Sequence, residues 1–184
     1  MNDESFLSRL DELRRTSGIR IDRKGRWWHQ NTIFEHRRII ETLNKGLAWL
    51  PADTNQHLYN DEDDSSSGAF KNWLGEATLH IGKQWCYINC ELTPFLVLKL
   101  KENPISSDLI AILNTGENIP LGTLSLFEDV LYTRLRSDCL ARFSVQAQAQ
   151  LGTWLEEDES GVLFLTYQEK SWPITNCKKL PLKD

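Results

Sequence analysis

Residues 18–47 read GIRIDRKGRWWHQNTIFEHRRIIETLNKGL, and a change of period inside this stretch decides the fold class. Ile19 and Ile21 alternate with Arg20 and Asp22, the period-two pattern of a half-buried strand. Lys24-Gly25 then supplies a hairpin turn ahead of Arg26-Trp27-Trp28-His29. Neighbouring strand side chains point to opposite faces, so one indole of the pair enters the core and the other lies nearer the surface. From Glu35 the period becomes 3.6. Ile39, Ile40, Leu43 and Leu47 form one stripe and His36, Arg37, Arg38 and Lys45 the other side, which predicts a helix over 35–49 stopped by Pro51.

Toward the N-terminus, Phe6, Leu7, Leu10 and Leu13 fall at helical spacing and predict a helix over 3–15, capped by Asp3 or Ser5 and stopped by Ser17-Gly18. Its polar face, with Arg9, Asp11, Glu12, Arg14 and Arg15, is expected to be solvated. Toward the C-terminus, residues 51–68 (PADTNQHLYNDEDDSSSG) read as an acidic loop. Its run Asp61-Glu62-Asp63-Asp64 lacks the alternating ligands, glycine and terminal Glu of a calcium loop, so no metal is expected. Strands are predicted over 76–81, 84–91, 95–100, 109–113, 130–136 and 162–167, with a turn over 114–118. Leu140, Phe143, Ala147, Leu151, Trp154 and Leu155 suggest a second long helix over 139–155, capped by Asp138. Trp172-Pro173-Ile174 closes the ordered part, and 176–184 is a basic tail.

These elements define an α+β protein. Antiparallel sheets are expected with two main helices and a short N-terminal helix, because hairpin-like runs outnumber βαβ alternation. Two structurally similar subdomains are expected: 1–98, carrying the acidic loop, and 99–184.

The 184 residues are 40% hydrophobic and 26% charged, the balance of a soluble globular chain. Seven tryptophans stand out, and such rings anchor cores or mark contact sites. A net charge of −5 opposes wholesale binding to nucleic acid or to an anionic membrane. Cys86, Cys90, Cys139 and Cys177 contain no C-x-x-C pair and no histidine at zinc spacing. Isolated thiols, the absence of a secretory leader after Met1, and the absence of an apolar run of the ~20 residues that span a bilayer lead to the expectation of a cytoplasmic protein.

The order of motifs resembles a bacterial family, domain of unknown function 1285. Trp27-Trp28, Asn31, Phe34, His36 and Ile39-Ile40 follow its opening pattern of aromatic pair, glycine, apolar residue, basic residue and helix, with Asn31 in place of glycine. Ile33 and His36 stand where that pattern has proline and arginine. Glu91-Leu92-Thr93-Pro94-Phe95 resembles its acidic-x-x-Pro-Phe segment, and Leu113-Asn114-Thr115-Gly116-Glu117 its Asn-x-Gly-acidic turn. The strand and helix over 131–151 complete a resemblance spanning about 18–156. It implies a two-part α+β fold with a repeated motif, no established enzyme activity and a role in signal transduction.

No G-x-S-x-G, H-E-x-x-H, P-loop or G-x-G-x-x-G occurs, so the chain reads as a non-enzymatic interaction or ligand-sensing module that needs no cofactor. Its expected partner is a small anionic ligand or another protein. The sharpest alternative places nucleic acid or a phosphorylated ligand on the basic and aromatic cluster of Arg26, Trp27, Trp28, His29, His36, Arg37 and Arg38. Arg37 and Arg38 oppose the helix dipole unless an anion compensates them. A further alternative is an enzyme whose site forms around His29 and His36.

Overall fold

A computed structural model of the chain describes residues 3–51, 75–103, 105–106, 108–136 and 139–178. Residues 52–68 of the expected acidic loop, the Asp138 cap and the end of the basic tail lie outside the described residues. The chain divides into two compact units, Met1–Pro94 and Phe95–Asp184.

The first unit opens with helix α1, Asp3–Arg15. Strands β1 (Ile19–Ile21), β2 (Trp27–His29) and β3 (Thr32–Ile33) follow, then helix α2 (Arg37–Lys45). After them come β4 (Leu47–Pro51), β5 (Gly75–Ile81), β6 (Gln84–Tyr87) and β7 (Asn89–Cys90). These strands form two sheets, ordered β3-β2-β1-β7 and β4-β5-β6. The β1/β2 hairpin pairs Ile19 with His29 and Ile21 with Trp27, and Gly25 takes its turn at φ 77°, a conformation that costs glycine nothing. Strand alternation separates the two indoles: Trp27 is buried at 1% exposure, while Trp28 is half-buried. Trp27, Ile21, Leu43, Leu79 and Cys90 are core residues of this unit.

Three expectations change here. The helix over 35–49 is shorter, because at Gly46 the chain turns into β4 and lies against β5. A Cβ built on Gly46 would stand 2.3 Å from the His80 carbonyl oxygen, so only glycine allows this approach. The strand over 84–91 breaks at Ile88: β6 pairs antiparallel with β5, and β7 pairs parallel with β1. The third change is in α1. Arg14 lies over the Trp85 ring and Arg15 over Tyr87, with guanidinium-to-centroid distances of 4.0 and 3.9 Å. Phe6, Leu7 and Leu13 are instead 68, 60 and 65% exposed. Part of the expected solvated face therefore docks the helix, because flat guanidinium groups stack on aromatic rings that the β6 pleat presents.

The second unit contains β8 (Phe95–Glu102), β9 (Leu109–Leu113), β10 (Asn118–Pro120), β11 (Leu124–Phe127), β12 (Val130–Arg136) and β13 (Cys139–Phe143). Helix α3 (Val145–Leu151) leads to β14 (Leu155–Glu157), β15 (Leu163–Tyr167) and β16 (Lys170–Asn176). One sheet joins all nine strands in the order β10-β9-β8-β13-β12-β11-β16-β15-β14. It curls back on itself, since Tyr167 on β15 hydrogen-bonds Glu102 of β8 and Lys170 on β16 pairs with Asp108 just before β9.

The helix expected over 139–155 is three elements: β13, α3 and β14. Cys139, Leu140, Ala141 and Phe143 are all buried because β13 is a central strand, flanked by β8 and β12, and such a continuous apolar run also satisfies a helical period. Ser144 starts α3 by accepting a hydrogen bond from the Ala147 amide at 3.2 Å. The α+β class holds, with the β4-β5-β6 sheet antiparallel as expected and the other two sheets mixed. The pairs β1/β7, β8/β13 and β11/β16 are parallel.

Candidate functional site

The basic and aromatic cluster centres on a carboxylate. Asp22, in the β1/β2 turn, accepts the backbone N–H groups of Lys24 and Arg26, both at 2.9 Å. It also accepts Arg26 Nε at 2.7 Å and Trp28 Nε1 at 3.1 Å. Burial alone would raise this carboxyl, but the donors from Arg26, Trp28 and Lys24 outweigh it and hold Asp22 at about 2. The Trp28 ring has Arg20 at 4.6 Å on one side and Arg26 at 5.5 Å. Arg20 pairs with Glu91 at 3.2 Å and Arg37 with Glu41 at 2.7 Å.

Of the residues singled out in the sequence, Arg26 and Trp28 thus converge on Asp22. Trp27 does not join them: it points into the core, where its Nε1 donates to Asn44 Oδ1 at 2.9 Å. His29, His36, Arg37 and Arg38 are exposed, and among the described residues no hydrogen bond links the His29 and His36 rings. His36 is the N-cap of α2 but gives it no side-chain bond, and no acidic residue occupies the first turn.

A cavity of about 680 Å³ lies alongside this cluster at β1 and shares Arg20 with it. Its walls are the segment that leaves α1, the start of β5 and the β6/β7 crossing. The break at Ile88 makes the space, because two sheets that share one strand path diverge where it changes partners. Trp49, Ala77, Ile88, Cys90 and Leu92 supply apolar wall, and Gln30, Asn31 and Asn89 bring exposed carboxamides to the lining. Ser17 fixes the entry to β1 by donating to the Tyr87 carbonyl at 2.8 Å, and the Gln30 amide donates to the Gly18 carbonyl at 2.7 Å.

The charged wall is internally balanced. Arg15 Nη1 and Nη2 donate to the two oxygens of Glu76 at 2.6 and 3.2 Å, and Nε donates to Asp11 at 2.9 Å. Beneath that guanidinium, burial pushes the Tyr87 phenol up to about 12. The nearby Arg15 charge works against this, while Asp11, which accepts a hydrogen bond from the phenol, and Glu76 add to it. Neutral Tyr87 is thus a fixed part of the wall.

A second groove, of about 690 Å³ in the other unit, runs between the end of β8 and α3. Gln150, its main amide, already bonds both backbone groups of Leu100. Among the described residues no group of three or more histidine, cysteine or acidic side chains could hold a metal ion.

The lining of the first cavity was missed in the sequence because it gathers short segments from six places in the unit. Trp49 sat at the end of an expected helix, and Ser17-Gly18 read only as a stop signal. The available signal was the Asn89 position on a strand whose two neighbours in sequence, Ile88 and Cys90, are apolar.

The fold is similar to that of a solved protein of the DUF1285 family. A DUF1285 family protein from Silicibacter pomeroyi DSS-3 superposes with a TM-score of 0.54 at 15% identity, over 86% of this chain and 79% of that one. Another, from Shewanella baltica OS155, gives a TM-score of 0.48 at 13% identity, over 75% of this chain and 92% of that one. The structural neighbours of this chain are therefore DUF1285 family proteins, and at these identities the likeness is one of fold. No family model and no curated protein matches the sequence.

Proposed function

We propose that this protein is a non-enzymatic ligand-sensing module of the cytoplasm, linked to signal transduction, whose ligand enters the cavity beside β1. The observation that carries this reading is the cavity itself. Its volume falls within the roughly 300–1,000 Å³ of small-molecule sites, with apolar wall and a few convergent polar groups. Four cysteines outside any disulfide favour a reducing compartment, and no helix among the described residues is long and apolar enough to cross a membrane.

The architecture read as two similar subdomains has support in strand order. In the first unit a meander (β1-β2-β3), a helix (α2) and a second meander (β4-β5-β6) are followed by β7, which lies parallel to β1. In the second, β11-β12-β13, α3 and β14-β15-β16 repeat the plan, and the end of β16 lies parallel to β11. On this reading the module is a duplicated unit in which the first copy, broken at Ile88, carries the ligand site.

The test is a thermal-shift screen of the full chain beside an Ala77→Phe variant, which fills the cavity. Compounds that raise the melting temperature of the parent and not of the variant support the reading. Compounds that shift both alike, or none that shift the parent, overturn it.

An anionic ligand on the exposed face of α2 is a second reading, favoured by Arg37 and Arg38 in a first turn without acidic residues. Salt-sensitive binding of nucleotides or oligonucleotides, lost in an Arg26→Ala, Arg38→Ala variant, is its signature.

A further inference from the structure

We infer that the cavity beside β1 takes an uncharged ligand bearing a planar amide-type edge, of the lactam or nucleobase kind; this rests on the reading of that cavity as the ligand site. Two observations carry it. First, the charges in its wall are already matched at hydrogen-bond distance: Arg15 with Asp11 and Glu76, Arg20 with Glu91. An anionic ligand would have to draw Arg15 or Arg20 from a carboxylate, and a cationic one would have to draw Glu76 from Arg15. At Arg15 and Glu76 either exchange breaks a two-pronged, part-buried pair, which costs more than the new pair returns, while the exposed Arg20–Glu91 pair adds little to this bias. A neutral ligand leaves both pairs in place.

Second, the remaining polar side chains in the lining with reach are primary carboxamides. Gln30, Asn31 and Asn89 are exposed, each with a carbonyl acceptor beside an NH₂ donor. That donor and acceptor fork matches the adjacent N–H and C=O of a lactam, a cyclic dipeptide or a base edge, and discriminates against molecules that lack the pair. Gln30 is held for this task by its backbone, which sits at φ 53° and donates to Gly18. The apolar groups of Trp49, Ile88 and Leu92 offer the flat body of such a ligand a surface to bury.

The test uses matched pairs that differ in charge: inosine against inosine monophosphate, and cyclic glycyl-phenylalanine against the linear zwitterionic dipeptide. Binding to the full chain is measured by calorimetry at ~50 and ~500 mM NaCl, a range over which exposed charge–charge attraction is largely screened. The neutral member of at least one pair is expected to bind more tightly than its charged partner by about tenfold or more. Its affinity should be insensitive to salt, reduced about tenfold by Asn89→Ala, abolished by Ala77→Phe and unchanged by Arg38→Ala. Tighter binding of the charged members, with a steep salt dependence, would overturn the ligand class. If that charged binding is also lost in Ala77→Phe, the cavity remains the site and only this inference fails. Binding of either kind that survives Ala77→Phe, or no binding by any of the four compounds, overturns both.

Discussion

Arg15 and Glu76, 61 positions apart, meet in a two-pronged pair that fastens the C-terminal end of α1 to the first residues of β5. Their side chains are 28 and 35% exposed, so the pair is partly screened, but the same guanidinium also covers Tyr87. Arg15→Ala should cost about 1–2 kcal/mol through pairing and stacking together. The loss should be concentrated in α1, whose amides are expected to exchange faster with solvent while those of β5 keep their protection. Arg15→Lys should recover only part of it, since an ammonium cannot make both bonds or lie flat on the ring. Equal loss of protection across the unit would refute α1 as a separately fastened element.

Asp22 gives the unit a defined acid sensitivity. Its carboxyl titrates at about 2 in the folded chain against an ordinary value of 3.8. The folded state therefore binds its proton less readily, and the stabilisation is complete above about pH 4 and lost as pH falls through about 2. Asp22→Asn should cost about 2 kcal/mol at neutral pH and flatten the acid limb of a stability–pH curve. The Trp28 fluorescence should shift with it, because its indole N–H donates to the same carboxylate. An unchanged acid limb in the variant would show that the turn does not depend on this charge.

Gly46 should tolerate no side chain. A methyl group there would meet the His80 carbonyl at 2.3 Å, and neither backbone can move without losing the bond from the His80 amide to the Gly46 carbonyl, 2.8 Å. Gly46→Ala is expected to lower the unfolding free energy by about 2–4 kcal/mol in urea titrations, against a gain of up to about 1 kcal/mol where the same change meets no obstacle. Gly82, with nothing within 4 Å of a built Cβ but a φ of 61°, is a useful control for conformational strain alone.

The thiols should separate into two classes. Cys90 and Cys139 are 1 and 2% exposed, and Cys86 and Cys177 are half-buried. A thiol reagent should modify two cysteines in the native protein and four after denaturation. Fast native modification of Cys90 would mean that the cavity wall opens.

The hairpin of residues 19–29 and the core of helix α2 were legible because each carries a period of its own and a turn or stop signal, whereas the short strand at Thr32–Ile33 was not. Residues 139–151 were not. Leu140, Phe143, Ala147 and Leu151 are all buried, as a helical stripe requires, yet the first two reach the core from a central strand and the last two from α3. What separates them is Ser144, whose capping bond can be recognised only once the strand before it is known. The docking of α1 was equally hidden, since arginine reads as solvent-facing until an aromatic strand is found to receive it. Asp22 read only as a polar position in the strand alternation, yet it holds the Arg26 and Trp28 side chains together. The candidate cavity depends on the change of partner at Ile88, and a sequence with an uninterrupted alternation from 84 to 91 gives no sign of it.

That single residue also sets how motion passes through the unit. The strand segments on its two sides are in register with different neighbours, Tyr87 with Thr78 and Asn89 with Arg20. Any slide of one segment along its neighbour must be absorbed at Ile88 or carried into the other sheet. A molecule seated against Ile88 and Asn89 would touch the β6 path and the β1 path together. Occupancy of the cavity would then be felt at the Trp28 indole through Arg20, which lines the cavity and lies over that ring.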